Sequence, residues 1–239
     1  NSIYKILKKN KKKRFIYFKK IIKLLNQLQI IKNRKIKFFK RNTYIIPKYE
    51  KEILFKEANL FCDWYIKYKL SKDKKKYFVK KFRKITKSLL DNLKLKNNVF
   101  VHRDFHVSNL MQVKEKIGIL DSQDAIIGNK AYDLASLVDD VRLKTSEALK
   151  NKILNFYLSK QKRLNKKNFK NDFEILSVLR NLKIIGIFTR LAIRDGKTEY
   201  LKLIPYAWKL INKRIYKNKV FKDLDYLLKR NFKKEINAN

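Results

Sequence analysis

"VFVHRDFHVSNLMQVKEKIGILDSQDA", residues 99–125, interrupts a chain otherwise built from lysine and large apolar residues in alternation. It holds both histidines of the protein together with Asp104, Asn109, Asp121 and Asp124. "VFV" at 99–101, "NLMQV" at 109–113 and "KIGIL" at 116–120 are short runs of β-branched or long apolar residues, and the "KEK" between the last two reads as a hairpin link. The acids therefore fall on loops at strand ends, where a rigid scaffold can hold them against a ligand.

On either side the pattern is helical. Residues 14–30 repeat Phe18, Ile21, Ile22, Leu25 and Leu28 at steps of three and four, which predicts an amphipathic helix with lysines outside. A polar, basic link containing Pro47 follows. Residues 50–69 predict a second helix, with Leu54, Ala58, Phe61, Trp64 and Tyr65 on one face, and 74–95 a third. Beyond 130, helices are expected near 131–142, 146–159, 168–194, 197–216 and 220–231. The expected β structure is confined to the opening stretch, so the fold class is mainly α within an α+β plan. No internal repeat or low-complexity linker is present, and the "KKNKKK" run at 8–13 reads as a solvated link.

The chain has 239 residues, 45% of them hydrophobic, enough to bury a real core. Its formal charge is +41, from 62 lysines and arginines against 21 acids, which raises the question of an anionic partner. Only twelve of the 62 are arginine, and the lysine comes with abundant Asn, Ile, Phe and Tyr, all encoded by A/T-rich codons. Lysine is also spread over nearly every polar face rather than gathered on one element. A nucleic-acid partner is therefore disfavoured, and a basic module for RNA or membrane surfaces is kept as the rival from another class. Cys62 is the only cysteine, which excludes an internal disulfide and points to a reducing, cytoplasmic compartment. No apolar run reaches the roughly 20 residues that span a bilayer.

Asp104 and Asn109 lie five apart on what should be a tight loop, and Asp121 ends a strand twelve residues later. A carboxylate and an amide oxygen are hard ligands suited to Mg²⁺, which takes the rest of its shell from water and substrate phosphates. A further carboxylate free of the metal can accept a proton from a hydroxyl nucleophile. Phosphoryl transfer needs that set.

"HRDFHVSN" resembles the His-Arg-Asp, four residues, Asn loop with which protein kinases carry out phosphoryl transfer, and Asp121 matches their downstream metal aspartate. The triplet "DSQ" lacks the Phe-Gly of protein kinases, and no Ala-Pro-Glu follows. The fuller string "HRDFHVSNLM…GILDSQDAIIGNKAYDLASLVDD" is more similar to the aminoglycoside phosphotransferase and choline kinase-like superfamily. Within it the likeness is to bacterial anomeric N-acetylmuramate/N-acetylglucosamine kinases of cell-wall sugar recycling, except that Ser122 replaces an aromatic residue and Asn129 a proline. "EANLFCDWY" at 57–65 and "RNLKIIGIFTRLAIRDGKTEYLKLIP" at 180–205 agree as well.

The resemblance implies a protein-kinase-like C-terminal lobe whose small hairpin carries both loops, using ATP and Mg²⁺ to phosphorylate a small sugar. Asp104 would be the base, and Asn109 and Asp121 would hold the metal. His102, Arg103, His106 and Asp133 would support the loop, Arg103 by pairing with a carboxylate and Asp133 by capping a helix or bracing the loop. Gln123 and Asp124 follow the metal aspartate and could face the sugar. Glu57 and Asp63 lie on a helix that borders the acceptor pocket by the likeness, with pairing to lysine as the competing reading. Arg190 and Arg194, one turn apart, could meet an anionic acceptor. An amino-alcohol or aminoglycoside acceptor is the runner-up.

Kinases of this kind begin with a β-rich lobe carrying a phosphate-covering glycine loop and a lysine. Gly118, Gly128, Gly186 and Gly196 form no such loop, and the chain starts at Asn1. The expectation is a single lobe over 1–239, a fragment that lacks the ATP-gripping lobe and is weakly active or inactive alone.

Overall fold

The computed structural model describes residues 1–31, 34–37, 43–216 and 218–237. Among them the chain is mainly helical, with three two-stranded antiparallel sheets. It divides into two compact units, Asn1–Glu50 with Lys94–Phe173, and Lys51–Leu93 with Glu174–Asn239.

The first unit begins with α1 (Ile3–Lys9) and α2 (Arg14–Leu28). The α2 face anticipated from spacing is the buried one: Phe18, Ile21, Ile22 and Leu25 are each at most 1% exposed. Where the link with Pro47 was expected, a ribbon of β1 (Lys35–Lys37) and β2 (Thr43–Ile45) pairs Ile36 with Tyr44. All six ribbon residues are exposed, so no inward/outward alternation marked them in the sequence. The expectation that β structure is confined to the opening stretch is corrected accordingly.

The chain re-enters this unit through β3 (Asn97–Val101), which pairs with β6 (Ile126–Asn129). Gly128 sits in β6 because a Cβ there would lie 3.1 Å from both the Tyr49 Cβ and a Val101 methyl. Between these strands β4 (Leu110–Val113) and β5 (Lys116–Ile119) form the expected hairpin, with Leu110 opposite Ile119. The entry point is tied twice. Asn97 Nδ2 donates to the Tyr49 carbonyl at 2.8 Å, and the buried Asp172 carboxylate accepts from the backbone N–H groups of Lys94 and Leu95 and from Asn129 Nδ2. Asn129, which stands where the likeness has proline, thus acts as a donor to Asp172 and as an acceptor from the Ala131 N–H.

α6 (Tyr132–Val138) is shorter than the expected 131–142, since Asp140 turns the chain by accepting from the Arg142 N–H. α7 (Glu147–Ser159) is capped by Ser146, whose hydroxyl accepts from the Leu149 N–H. Lys150 of α7 is buried with Asp139 at 2.7 Å.

In the second unit α3 (Lys51–Leu60) does not run on to residue 69 as one α-helix. It passes into a π-helical turn, Phe61–Ile66, and then α4 (Lys67–Lys69). The widened turn carries Phe61 and Tyr65 inward together, stacked at 5.4 Å, into an aromatic core with Phe78, Phe82, Trp208 and Phe232. α5 (Lys72–Asp91) packs beside it. α8 (Lys166–Asp195) runs through the division between units, and its Gly186 crosses α3 so closely that a Cβ would lie 2.2 Å from the Leu60 carbonyl oxygen. The 197–216 helix is a 3₁₀ turn, Thr198–Leu203, followed by α9 (Ile204–Ile215) with Pro205 in its first turn; α10 (Lys222–Asn237) extends beyond the expected 231. Among the described residues no helix is long and apolar enough to cross a membrane.

Candidate active site

The 102–109 loop leaves β3 with buried and exposed residues interleaved. His102, Phe105, His106 and Val107 are buried, and Asp104 between them is exposed. Arg103 takes a left-handed backbone with φ of 72°, a conformation that costs a non-glycine residue on the order of 1 kcal/mol or more. What holds it is Asp133 of α6. Its fully buried carboxylate accepts from the His102 N–H at 2.7 Å and the Arg103 N–H at 3.1 Å, one bond to each oxygen. Asp133 caps no helix end; its acceptor capacity goes to the loop. The Arg103 guanidinium reaches the Asp124 carbonyl at 3.4 Å and lies over the Tyr49 ring.

The peptide of Asp104 then closes the loop. Its carbonyl accepts from the His106 N–H at 2.9 Å and from Asn109 Nδ2 at 3.2 Å. With its amide nitrogen engaged there, Asn109 keeps its Oδ1 as an acceptor, and among the described residues no group donates to it. Hairpin register does the rest: with Leu110 opposite Ile119, Asn109 falls opposite Leu120, and the Leu120 N–H donates to the Asn109 carbonyl at 2.9 Å. The other side of that residue is held by His102, whose Nε2–H donates to the Leu120 carbonyl at 2.9 Å. Burial pushes the His102 imidazole below its ordinary pKa, against the opposing pull of the Leu120 bond and of the Asp104 and Asp121 charges. The ring is thus neutral at pH 7, with its proton on Nε2.

Asp121 comes next and is again left-handed, with φ of 58°. Asp121, Ser122, Gln123 and Asp124 are all exposed, and the turn closes by an Ala125 N–H bond to the Ser122 carbonyl. Among the described residues three non-glycine positions have positive φ. Arg103 immediately precedes the candidate base, Asp121 is itself a candidate metal ligand, and the third, Lys114, is in the hairpin turn.

The candidates in the second unit are distributed differently. Glu57 pairs with Lys183 at 2.9 Å, mostly buried. Asp63 lies on the π-helical turn and lines a concavity rich in lysine. Arg194 forks onto Asp195 at 2.6 and 3.0 Å, and these bonds hold the Asp195 carboxyl below its ordinary pKa, with Lys197 and Arg190 adding to the field. Cys62 beside Asp63 is buried, and that burial pushes its thiol up to about 12, so it remains protonated and unreactive.

Residues 9–165 match the model of the phosphotransferase enzyme family, designated APH. The chain belongs to this family. It is 34% identical over 167 residues to an N-acetylmuramate/N-acetylglucosamine kinase of Neisseria meningitidis serogroup B, a stretch covering 67% of this chain and 50% of that protein. With the protein of the same name from Pseudomonas aeruginosa it shares 30% identity over 190 residues, 77% of this chain and 56% of the relative. The chain spans about half the length of the curated relatives it matches. Among solved structures an ethanolamine kinase of Plasmodium vivax superposes with a TM-score of 0.56 at 15% identity, covering 87% of this chain and 60% of that one, a likeness of fold.

For a phosphotransferase the donor set at the hairpin base suits a magnesium ion. Among the described residues no cluster of three or more His, Cys, Asp and Glu could hold a metal by itself. Mg²⁺ needs no such cage, since it binds through one or two protein oxygens plus substrate phosphates and water. The Asn109 Oδ1 and the Asp121 carboxylate are hard oxygens at one end of one hairpin, and they fit. Sequence reasoning missed Leu120, whose contribution is made wholly by its peptide group. The signal was available in the hairpin itself, because a two-residue turn after Val113 fixes which residue faces Asn109.

Proposed function

We propose that this chain is the acceptor-side portion of an ATP- and Mg²⁺-dependent small-molecule kinase acting on a sugar hydroxyl, the anomeric hydroxyl of N-acetylmuramate or N-acetylglucosamine. What supports the reading is the double hold on Leu120, the residue that pairs with Asn109 and precedes Asp121, while the 102–109 loop presents Asp104 to solvent. The names of the 30–34% identical relatives support the sugar as acceptor.

Asp104 is the base. It orients the acceptor hydroxyl and takes its proton as the oxygen attacks the γ-phosphorus and ADP departs. Asn109 and Asp121 are the residues that would hold Mg²⁺, and the ion supplies charge neutralisation on the phosphates when bound. His102 and Asp133 act one layer behind, through backbone bonds that keep Asp104 and Asp121 in place. Gln123 and Asp124, exposed directly after Asp121, are the nearest candidates in sequence for the sugar. Glu57, Asp63, Arg190 and Arg194 remain proposed acceptor contacts, with Glu57 and Arg194 already engaged by Lys183 and Asp195.

The phosphate-covering glycine loop belongs, in this reading, to residues outside these 239. Gly118 lies in the hairpin, Gly128 packs on Tyr49, Gly186 packs on Leu60, and Gly196 follows α8. The test therefore uses the whole protein: ATP consumption with each N-acetylhexosamine, and with ethanolamine and choline as competing acceptors. Turnover of an amino alcohol in preference to both sugars would overturn the acceptor assignment.

A further inference from the structure

Helix α5 concentrates charge beyond what composition accounts for, which corrects the expectation that lysine is gathered on no one element. Lysine and arginine supply 62 of 239 residues overall but nine of the 20 residues of α5, against Asp73 and Asp91. Three concavities of the second unit lie along this helix; one, of about 450 Å³, sets Lys51, Lys56 and Lys87 beside the carboxylates of Glu52 and Asp91, and the other two are more strongly basic. One, of about 950 Å³, runs between α5 and the π-helical turn; seven of the ten described residues that line it are lysine or arginine, and Asp63 is the one carboxylate among them. The other, of about 420 Å³ between α5 and α10, adds Lys222, Arg230 and two exposed tyrosines, Tyr77 and Tyr226, with Asp223 the one carboxylate among its described lining residues. Lys84 lines both, so the two adjoin at this residue of α5.

Lys76, Lys80, Lys84 and Lys87 recur every three or four residues and are all exposed, which sets them in a row on α5. The row is roughly 17 Å long at 1.5 Å per residue, longer than one phosphate group can neutralise. Like charges at this spacing destabilise the free helix, and a chain of phosphates laid along them removes the repulsion and releases counterions. The tyrosines extend the match. The Tyr77 ring has Lys81 Nζ and the Arg230 guanidinium each 5.7 Å from its centroid, yet the residue is 47% exposed, and Tyr226 is 66% exposed. Aromatic faces set among cations are stacking platforms for bases. A bilayer surface instead favours a helix face carrying Leu, Phe or Trp, whereas the exposed large apolar residues described on α5 and α10 are these two tyrosines.

We propose that this surface binds single-stranded nucleic acid, with the phosphates along the α5 row and bases against Tyr77 and Tyr226. These cations and tyrosines are distinct from Asp104, Asn109 and Asp121; Asp63, also a proposed acceptor contact, is the one described residue that the basic concavity shares with that reading.

The experiment measures fluorescence anisotropy of a labelled oligouridylate of roughly 20 nucleotides with the 239-residue chain, at salt between about 50 and 200 mM. Affinity is expected to fall steeply with salt. The triple variant Lys76→Glu, Lys80→Glu, Lys84→Glu should weaken it by at least about ten-fold, while the control Lys11→Glu, Lys12→Glu, Lys13→Glu, three exposed lysines between α1 and α2, should cost less than about two-fold. Tyr77→Ala with Tyr226→Ala should weaken binding several-fold with the salt slope unchanged. Equal losses in the two charge triples would overturn the proposal, because the affinity would then belong to net charge. Binding to phosphatidylglycerol vesicles with no binding to the oligonucleotide would overturn it in favour of a membrane. If the α5 triple loses its helical circular dichroism, Lys84→Glu alone and the tyrosine pair are measured against Lys12→Glu under the same criterion.

Discussion

Asn109 and Leu120 are joined by a 2.9 Å main-chain hydrogen bond that continues the β4–β5 ladder one step past its last paired residues. That single step pairs Asn109 with the residue that precedes Asp121, and it makes the relative placement of the two proposed metal ligands a property of hairpin register. A one-residue slip would turn every side chain of the hairpin to its opposite face.

Replacing Asp104 by Asn in the whole protein should lower kcat by about 10²- to 10⁴-fold, the range general-base catalysis contributes, with thermal stability nearly unchanged because the side chain is exposed. Steady-state kinetics together with a melting curve check this. A kcat near that of the parent would remove Asp104 from the role of base.

Asp121→Asn and Asn109→Ala should each raise the Mg²⁺ concentration needed for half-maximal rate, and by more than they raise the KM for sugar. Titrating Mg²⁺ at fixed ATP separates the two effects. A variant whose defect is in sugar KM alone would have lost an acceptor contact and not a metal ligand.

Asp133→Ala should destabilise the fold by about 3 kcal/mol, since it strands two buried N–H groups and removes the support of a left-handed Arg103. Asp133→Asn, which keeps one acceptor, should fall between. Urea unfolding of the 239-residue chain gives both values, and equal midpoints for the alanine variant and the parent would contradict the clasp.

Gly186→Ala tests the α8–α3 crossing. Alanine gains about 1 kcal/mol of helix propensity, yet its methyl would meet the Leu60 carbonyl oxygen at 2.2 Å. The net outcome should be a loss of about 2 kcal/mol by urea unfolding, because the obstructing atom is backbone and cannot rotate away.

The lowered pKa of His102 predicts a pH dependence of defined sign. In the unfolded chain the imidazole takes a proton near pH 6.5, whereas in the folded protein it stays neutral to a lower pH, so the unfolded state binds more protons between those values. The stability associated with this group is complete above about pH 6.5 and declines as pH falls toward the folded pKa. Urea midpoints at pH 7.5 and 5.5 should therefore differ more for the parent than for His102→Gln.

What could be read from sequence divides along physical lines. The buried face of α2 was legible because burial imposes a period, the β4–β5 hairpin because two short apolar runs flank a polar link, and the 102–121 stretch stood out because its oxygen-bearing side chains are those a phosphoryl-transfer site calls for. The β1–β2 ribbon was not, since it buries neither face. The π-helical turn at Phe61 was equally silent: one extra residue per turn leaves the apolar composition intact and changes only which side chains face inward. Asp133 was expected through the resemblance as a support of the loop or a helix cap; what was not legible was its pair of partners, since backbone N–H groups about 30 residues away carry no side-chain signature.

The Tyr49–Asn97 bond and the Asp172 carboxylate bear on how such a chain can change over time. They fasten the point where the chain leaves the first unit to the point where it returns, so the excursion 51–93 starts and finishes at one place. A segment rooted in this manner can carry a charge density such as that of α5, or differ in length, without shifting the spacing between Asp104 and Asp121.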